Sequence, residues 1–269
     1  MSGKEIRIGK KNALFQHLEV IKTNRSKRAS FGEFFVEGVR NINLAVKYGW
    51  KIKSWIYADF NKLSDWAKEK IKTVKTECNY CLEASLMDEL SGKTDKSELL
   101  AIVEMKSEKV EVGKCPFVIL FDRPSKKGNL GTIIRSADAL GCDGIVVAGH
   151  GVDIFDPEVI GSSMGSFFAT KIEKMETNEQ VVGWIEGLRK TYKDLQVVAT
   201  DEKAKVGLRE FDFKKPTILL VGNEGAGLSQ FFLNLCDVLV KIPMVGEASS
   251  FNVACATSIF MYEVFAQRN

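Results

Sequence analysis

Histidine is scarce: the chain has only His17 and His150, which argues against Ser-His or Cys-His nucleophilic catalysis. No apolar run approaches the roughly 18 residues a membrane helix needs, and the opening MSGKEIRIGKKNALF lacks the apolar segment of a secretory signal. A cytoplasmic protein without a membrane segment is therefore expected. The six cysteines, at 78, 81, 115, 142, 236 and 255, are too scattered for a disulfide framework and read as reduced thiols inside apolar segments. Only CNYC places two of them close together, Cys78 and Cys81. With no further Cys or His beside that pair, no metal site is expected. No G-x-G-x-x-G follows an apolar run, which weakens a dinucleotide or ordinary Rossmann-methyltransferase reading. The Gly-Lys-Thr of SGKTDKS lacks the earlier glycine of a phosphate-binding loop, Met87 standing in its place, and it follows a helical pattern rather than a strand. The NRS at 24–26 is a glycosylation sequon in form alone, since nothing points to secretion. Internal repeats and low-complexity tracts are missing too.

What is present is enough apolar material for a sizeable core: 269 residues, 45% hydrophobic, a length that suits one large domain or two ordinary ones. The net charge of +3 is unevenly placed. Residues 1–114 carry 22 basic and 16 acidic side chains, whereas the remainder carries 16 and 19. Residues 1–28 alone hold eight basic and two acidic groups, including KTNRSKR. Such an arm attracts phosphate backbones by counterion release, and it equally fits an ordinary solvated terminus.

Along the first half, helical periodicity runs through NALFQHLEVIKT and on through GEFFVEGVRNINLAVKYG, followed by a strand in IKSWIYA. SDWAKEKIKTVK and SLMDELSG read as helices and LLAIVEM as a strand, together a small α/β module. The polar KSEKVEVGKCP, residues 106–116, is the best linker candidate. Beyond it the alternation sharpens. FVILFD, GIVVAG, LQVVAT, TILLVG and VLVKIP are short and continuously apolar, as parallel strands covered on both faces are. Helices fit between them. NLGTIIRSADALG puts Leu130, Ile133, Ile134 and Ala137 on one face, Asp156 and Pro157 open another helix, and Thr177 with Gln180 forms a capping box for a third. The expectation is a doubly wound α/β sheet.

Three stretches lie at the carboxyl ends of expected strands, where open α/β sheets bind ligands. DRPSKKGNLGTIIRSADALG, residues 122–141, carries Asn129 at a helix start and Arg135 on that helix's polar side. LLVGNEGAGLS, residues 219–229, has Gly222, Gly225 and Gly227, which let backbone approach a ligand closely. IPMVGEASSFNVACATSIFMYE, residues 242–263, runs from a strand end into an apolar helix with Ser250 and Asn252 at its start. Singly, each has a plain explanation: a cap, a surface charge, a turn, a helix-start residue. Together, in this order and spacing, they resemble the three signature motifs of the SpoU/TrmH family of the SPOUT superfamily, S-adenosylmethionine-dependent RNA ribose 2′-O-methyltransferases. FFVEGVRNINLAV, residues 34–46, is similar to the opening of the RNA-binding module that precedes this domain in the ribosomal-RNA members. Phe251 stands where the family usually has leucine and Ala254 where serine is common, and KTDKSELLAIVEM lacks a Pro-Gln-Gly turn that relatives often carry.

The resemblance implies an RNA-binding α/β domain over residues 1–110 and a catalytic domain over 117–269. The second would be a parallel sheet with helices on both faces and a deep trefoil knot, packed as a homodimer, although general topology rules favour no knot. It implies S-adenosylmethionine as cofactor, no metal, and RNA as partner. Residues around Thr200, Gly222, Ile242, Met244 and Phe251 would form the cofactor pocket. Arg135, Asn129, Glu224, Ser250 and Asn252 match the catalytic positions. Guanidinium groups are poor bases, so Arg135 would grip an RNA phosphate and polarise the 2′-hydroxyl, while Glu224 would hold Arg135 or the loop around it. Ribosomal RNA is the leading substrate because relatives acting on transfer RNA commonly lack a separate first module. Transfer RNA and a non-catalytic RNA-binding protein remain the alternatives.

Overall fold

The computed structural model describes residues 3–91, 96–201 and 204–269, so the Gly-Lys-Thr of SGKTDKS lies outside the described residues. The chain divides into two compact units: Met1–Lys106 with Asp153–Ala169, and Ser107–Val152 with Thr170–Asn269.

The first unit is built on strands β1 (Lys4–Ile8), β2 (Glu33–Glu37), β3 (Ile52–Tyr57), β4 (Cys78–Leu82) and β5 (Leu100–Glu104). Its helices are α1 (Ala13–Thr23), α2 (Arg25–Phe31), α3 (Val39–Lys47), α4 (Asp65–Thr73) and α5 (Ala84–Leu90). The sheet order is β1-β4-β3-β5-β2, with β5 antiparallel to both neighbours and the other pairs parallel. The first part of GEFFVEGVRNINLAVKYG is a strand, not the helix its periodicity predicts. Phe34, Phe35 and Val36 are all fully buried, and a strand covered on both faces shows no alternation to mark it. Residues 4–8 and CNYC escaped notice as strands because both are short and polar; they pair in register from Lys4 with Cys78 to Ile8 with Leu82. The cysteines differ from expectation as well: all six are free, but four are only half-buried, and Cys115 and Cys255 are exposed.

The second unit holds β6 (Phe117–Asp122), β7 (Gly144–Ala148), β8 (Ile172–Met175), β9 (Gln196–Thr200), β10 (Val206–Gly207), β11 (Thr217–Val221) and β12 (Val238–Lys241). Between them come α6 (Lys127–Ala139), α7 (Pro157–Ser162, packed with the first unit), α8 (Asn178–Thr191) and α9 (Gln230–Leu235), and α10 (Val253–Arg268) closes the chain. All pairs in the order β10-β12-β9-β11-β6-β7-β8 are parallel. Val118, Leu120, Val146, Val197 and Ile218 face α8 and α9, packing with Val181, Ile185 and Phe232. The alternate residues Ile119, Phe121, Ile145, Val198 and Leu219 are equally buried, so the sheet is covered on both faces. The expected linker is not wholly solvated, since Val110 joins this core. The expected capping box of Thr177 and Gln180 and the Asp156 cap with Pro157 are both formed. At the far end of α10, Arg268 donates to the carbonyls of Phe213 (2.8 Å), Cys115 (2.8 Å) and Lys215 (2.6 Å), pinning that helix to the strand starts.

One member of the basic opening is not available to any phosphate. Arg28 is 1% exposed and donates to Asp153 (2.7 Å), Asp156 (3.2 Å) and the carbonyls of Ile21 (3.1 Å) and Lys22 (2.8 Å). It thereby fastens the start of α7 to the end of α1 within the first unit. Truncating one partner of a buried ion pair leaves the other charge uncompensated. Arg28→Ala should therefore destabilise this unit by about 3–5 kcal/mol, seen as a lowered urea midpoint, whereas an exposed control such as Lys27→Ala should leave it nearly unchanged.

Candidate active site

Parallel pairing sends every strand of the second unit to the same edge with its carboxyl end, and a cavity of about 530 Å³ opens there over the adjacent strands β12, β9 and β11. Its wall is made by Thr200 and Asp201 after β9, residues 222–228 after β11, and Val240 to Ile242 with Met244 around the end of β12. Ser250, Phe251, Val253, Ala256 and Phe260 close it from the α10 side. All five residues expected at the cofactor pocket, Thr200, Gly222, Ile242, Met244 and Phe251, line this one cavity. The glycines at 222, 225 and 227 can offer only main chain to the cavity, and Leu233, Val240 and Phe260 add apolar side chains, a mixture suited to a small organic ligand with a polar head.

The glycines of residues 219–229 are not equivalent. A Cβ on Gly222 would meet the Gly227 carbonyl carbon and the Leu228 nitrogen at 2.5 Å, so backbone fills the space a side chain needs. Gly227 has φ +67°, which favours glycine, and exchanges two main-chain hydrogen bonds with Asn223 (3.0 and 2.9 Å). A Cβ on Gly225 would meet nothing closer than the Asn223 Oδ1 at 3.7 Å, so the wall does not require glycine there.

A polar network joins the three motif loops. Glu224 accepts from the Ser125 amide (2.8 Å) and hydroxyl (2.6 Å), the Lys126 amide (3.0 Å) and the Asn129 Nδ2 (3.2 Å). Asn129 in turn accepts from Asn252 Nδ2 at 3.2 Å. Asn252 is the cap of α10, its Oδ1 accepting from the amides of Ala254 (2.9 Å) and Cys255 (3.4 Å), so the plain explanation for it holds and the bridge to Asn129 is added to it. Asn129 is not a cap: α6 begins at Lys127, with Lys126 in the capping position. Glu224 holds the loop before α6, not Arg135. Arg135 is exposed, six residues beyond Asn129 on α6, and no described hydrogen bond or ion pair engages it. Ser250 is exposed on the cavity rim. Thus Asn129, Glu224 and Asn252 are brought into one network, Ser250 into the adjoining cavity, and Arg135 stands apart, its guanidinium unpaired among the described residues.

Sequence reasoning missed several groups that build the site. Ser125 and Lys126 supply donors to Glu224; Asp201, Lys241 and Phe260 line the cavity; and Asp122, 1% exposed, accepts from the Ser229 amide at 3.0 Å. A signal for the last was present, because an acidic residue ending the apolar run FVILFD needs a partner if buried. For the others no local pattern marks the role.

Comparison with known proteins bears on the whole chain. The family model described as the SpoU rRNA Methylase family matches residues 116–262, and the SpoU L30e-like domain matches residues 12–101. A 23S rRNA (uridine(2479)-2′-O)-methyltransferase of Streptomyces viridochromogenes is 42% identical over 97% of this chain and 92% of its own length. The crystal structure of the SpoU methyltransferase AviRb from the same organism, in complex with AdoMet, superposes with a TM-score of 0.91 over 96% of this chain and 98% of that one, at 42% identity. The AdoMet-bound rRNA methyltransferase from Sinorhizobium meliloti superposes with a TM-score of 0.84 over 97% and 98% of the two chains, at 28% identity.

Burial pushes the Glu224 carboxyl up, but hydrogen bonds from the Ser125 hydroxyl and amide, its own amide and Asn129 outweigh this and hold it below the usual carboxylate value. A group depressed in the folded state contributes fully above its unfolded value and is lost as pH falls through the lower folded one. Amide-exchange protection at Ser125 and Lys126, corrected for intrinsic rates, should accordingly persist as pH falls to about 4.3 and fade only below it. In Glu224→Gln it should be weaker and flat across that range; fading of the native protection above pH ~5 would contradict the assignment.

Proposed function

The chain belongs to the SpoU rRNA methylase family, and on that premise we propose that it is an S-adenosylmethionine-dependent methyltransferase that acts on a ribose 2′-hydroxyl of 23S-type ribosomal RNA. The observation that carries this reading furthest is the meeting of residues 222–228 with Ile242, Met244, Ser250, Phe251 and Val253 at one cavity on the carboxyl edge of the parallel sheet, with Asn129 of α6 hydrogen-bonded to Glu224 and Asn252 beside it. The residues there fit the cofactor: the main chain around Gly222 leaves no room for a side chain, main-chain groups of 222–228 and 242 can satisfy a purine, and Val240, Met244, Phe251 and Phe260 supply apolar contact. When bound, the cofactor supplies an electrophilic methyl group on a sulfonium.

This chain's own residues then have to bind, orient and deprotonate. Arg135 is exposed and has no hydrogen-bond or ion-pair partner among the described residues, so its planar fork can grip a phosphate bidentately and lie against the 2′-hydroxyl. The phosphate or a water is the proton acceptor, since a guanidinium is not. Asn129 and Asn252 form the floor and Ser250 the rim, with Glu224 setting their position through the 125–126 loop, while Arg135 approaches the nucleotide from farther along α6. Fixing the reacting groups in line supplies several kcal/mol of the barrier without a metal.

Residues 1–110 are proposed as the RNA-binding domain and 117–269 as the catalytic domain, with the refinement that Asp153–Ala169 packs among the former. The knot and the homodimer are also part of this reading. Support for the knot is that α10 packs on α6, through Ser136 and Ser258 at 2.7 Å, while its start shares a cavity with residues 222–228. Support for the dimer is the exposure of Tyr262 (62%) and Phe265 (42%) on α10, whose opposite face is already buried.

Ribose-methylation mapping of total RNA from cells with and without this chain should show one position in 23S-type RNA losing its methyl group; a change confined to transfer RNA would replace the substrate, and no change anywhere would refute the activity. Arg135→Ala should lower turnover by at least about a hundredfold with cofactor affinity measured by calorimetry unaltered. Gly222→Ala should do the reverse at the binding step, weakening cofactor affinity about tenfold, because the added carbon forces apart residues 222 and 227.

A further inference from the structure

The end of β6 carries an unusual backbone. Arg123 is not glycine, yet its φ is 47°, in the left-handed region, and such residues persist where surrounding bonds over-determine them. Three sets of bonds do so here. Its amide donates to the Ala148 carbonyl (3.0 Å), its guanidinium forks onto buried Asp122 (2.7 and 3.0 Å), and its carbonyl accepts from the Asn223 Nδ2 (2.6 Å). Asp122 also accepts from the Ser229 amide at 3.0 Å. The wall segment after β11 is therefore tied at both ends to the same two residues, by Asn223 at its start and by Ser229 at its finish.

Asn223 has a second function within that wall. Its Oδ1 accepts from the amides of Gly225 (2.9 Å) and Ala226 (3.0 Å), which shapes the turn facing the cavity. The two ends of one amide thus do different jobs: the oxygen forms the turn, and the nitrogen braces that turn against Arg123. The residue that follows, Glu224, hands the same position on to Ser125, Lys126 and Asn129.

The geometry points to Asn223, supported by the Asp122–Arg123 pair, as a positioning residue that couples cofactor occupancy on one side of residues 222–228 to the placement of Asn129 and the α6 start on the other. It lines the cavity wall and reaches the α6 side through Arg123 and the adjoining Glu224. The inference rests on reading the 530 Å³ cavity as the cofactor site.

Asn223→Asp separates the two jobs, because a carboxylate keeps the turn acceptor and loses the donor to Arg123. Asn223→Ser, which also keeps a short acceptor but cannot reach that carbonyl, is the companion variant, and circular dichroism reports that each is folded. In both, kcat on RNA should fall about tenfold or more, a larger factor than any loss of affinity for S-adenosylmethionine, to whose cavity wall Asn223 also contributes, since misplacement of about 1 Å suffices to slow an in-line reaction. A second readout is one that a general loss of stability would not imitate. In the native enzyme, S-adenosylhomocysteine should slow amide exchange at residues 225–228 and at 125–129; in the variants the first protection should remain and the second disappear. Unchanged kcat, a parallel loss of kcat and cofactor affinity, or protection retained at 125–129 would each overturn the proposal. Failure of the native protein to bind S-adenosylmethionine at all is a separate result, which removes the cavity reading and this inference with it before any variant is made.

Discussion

The hydrogen-bonded line from Asn252 through Asn129 to Glu224 is the constraint on which the site depends, because it spans sequence separations of 123 and 95 residues and closes three loops upon one another. None of the three side chains makes its full set of bonds inside its own element. Asn252 caps α10 with its oxygen and has its nitrogen left over; Asn129 has both ends free of α6; Glu224 is an acceptor surrounded by donors from elsewhere. A carboxylate can accept several bonds at once and donates none while ionised, so four convergent donors define a loop's position more firmly than any single neutral pair.

Residues 222–228 act as a partition with two working faces. The cavity side needs bare main chain, which is why backbone occupies the place of a Gly222 side chain; the far side needs side chains, which Asn223 and Glu224 supply. Because the strands run parallel, this partition sits beside the ends of β9 and β12 without any long detour of the chain. A ligand edge formed in this way is a property of the sheet's direction, and the same logic places the start of α10 there.

Charge in the first unit serves two ends. Most of the basic side chains of residues 1–28 remain at the surface, where a polyanion can meet them, but Arg28 is spent inside, joining α2 to Asp153 and Asp156. A formal count of lysines and arginines therefore overstates what is available for phosphate. The segment Asp153–Ala169 also adds Phe155, Phe167 and Phe168 to the cluster around Phe34 and Trp50, so this unit completes its core with residues from far along the chain.

Apolar runs and caps are local, and the sequence by itself determined the five strands from FVILFD to VLVKIP, the helix faces of α6 and the caps of α7 and α8, because burial on two sides and orphan amides leave their mark on adjacent residues. The three motifs were equally legible as far as residue type, through their order and their resemblance to a family. Strand identity for Phe34–Val36 was not, since complete burial erases the alternation that separates strand from helix. Nor was the fate of Arg28, or that Glu224 would reach Ser125 and Lys126 rather than Arg135, or that Asn223 would brace a left-handed Arg123. Those depend on which loops meet in space, and only the tertiary structure decided them: a side chain's chemistry names the bonds it needs, while the packing of distant elements selects the partner that meets the need.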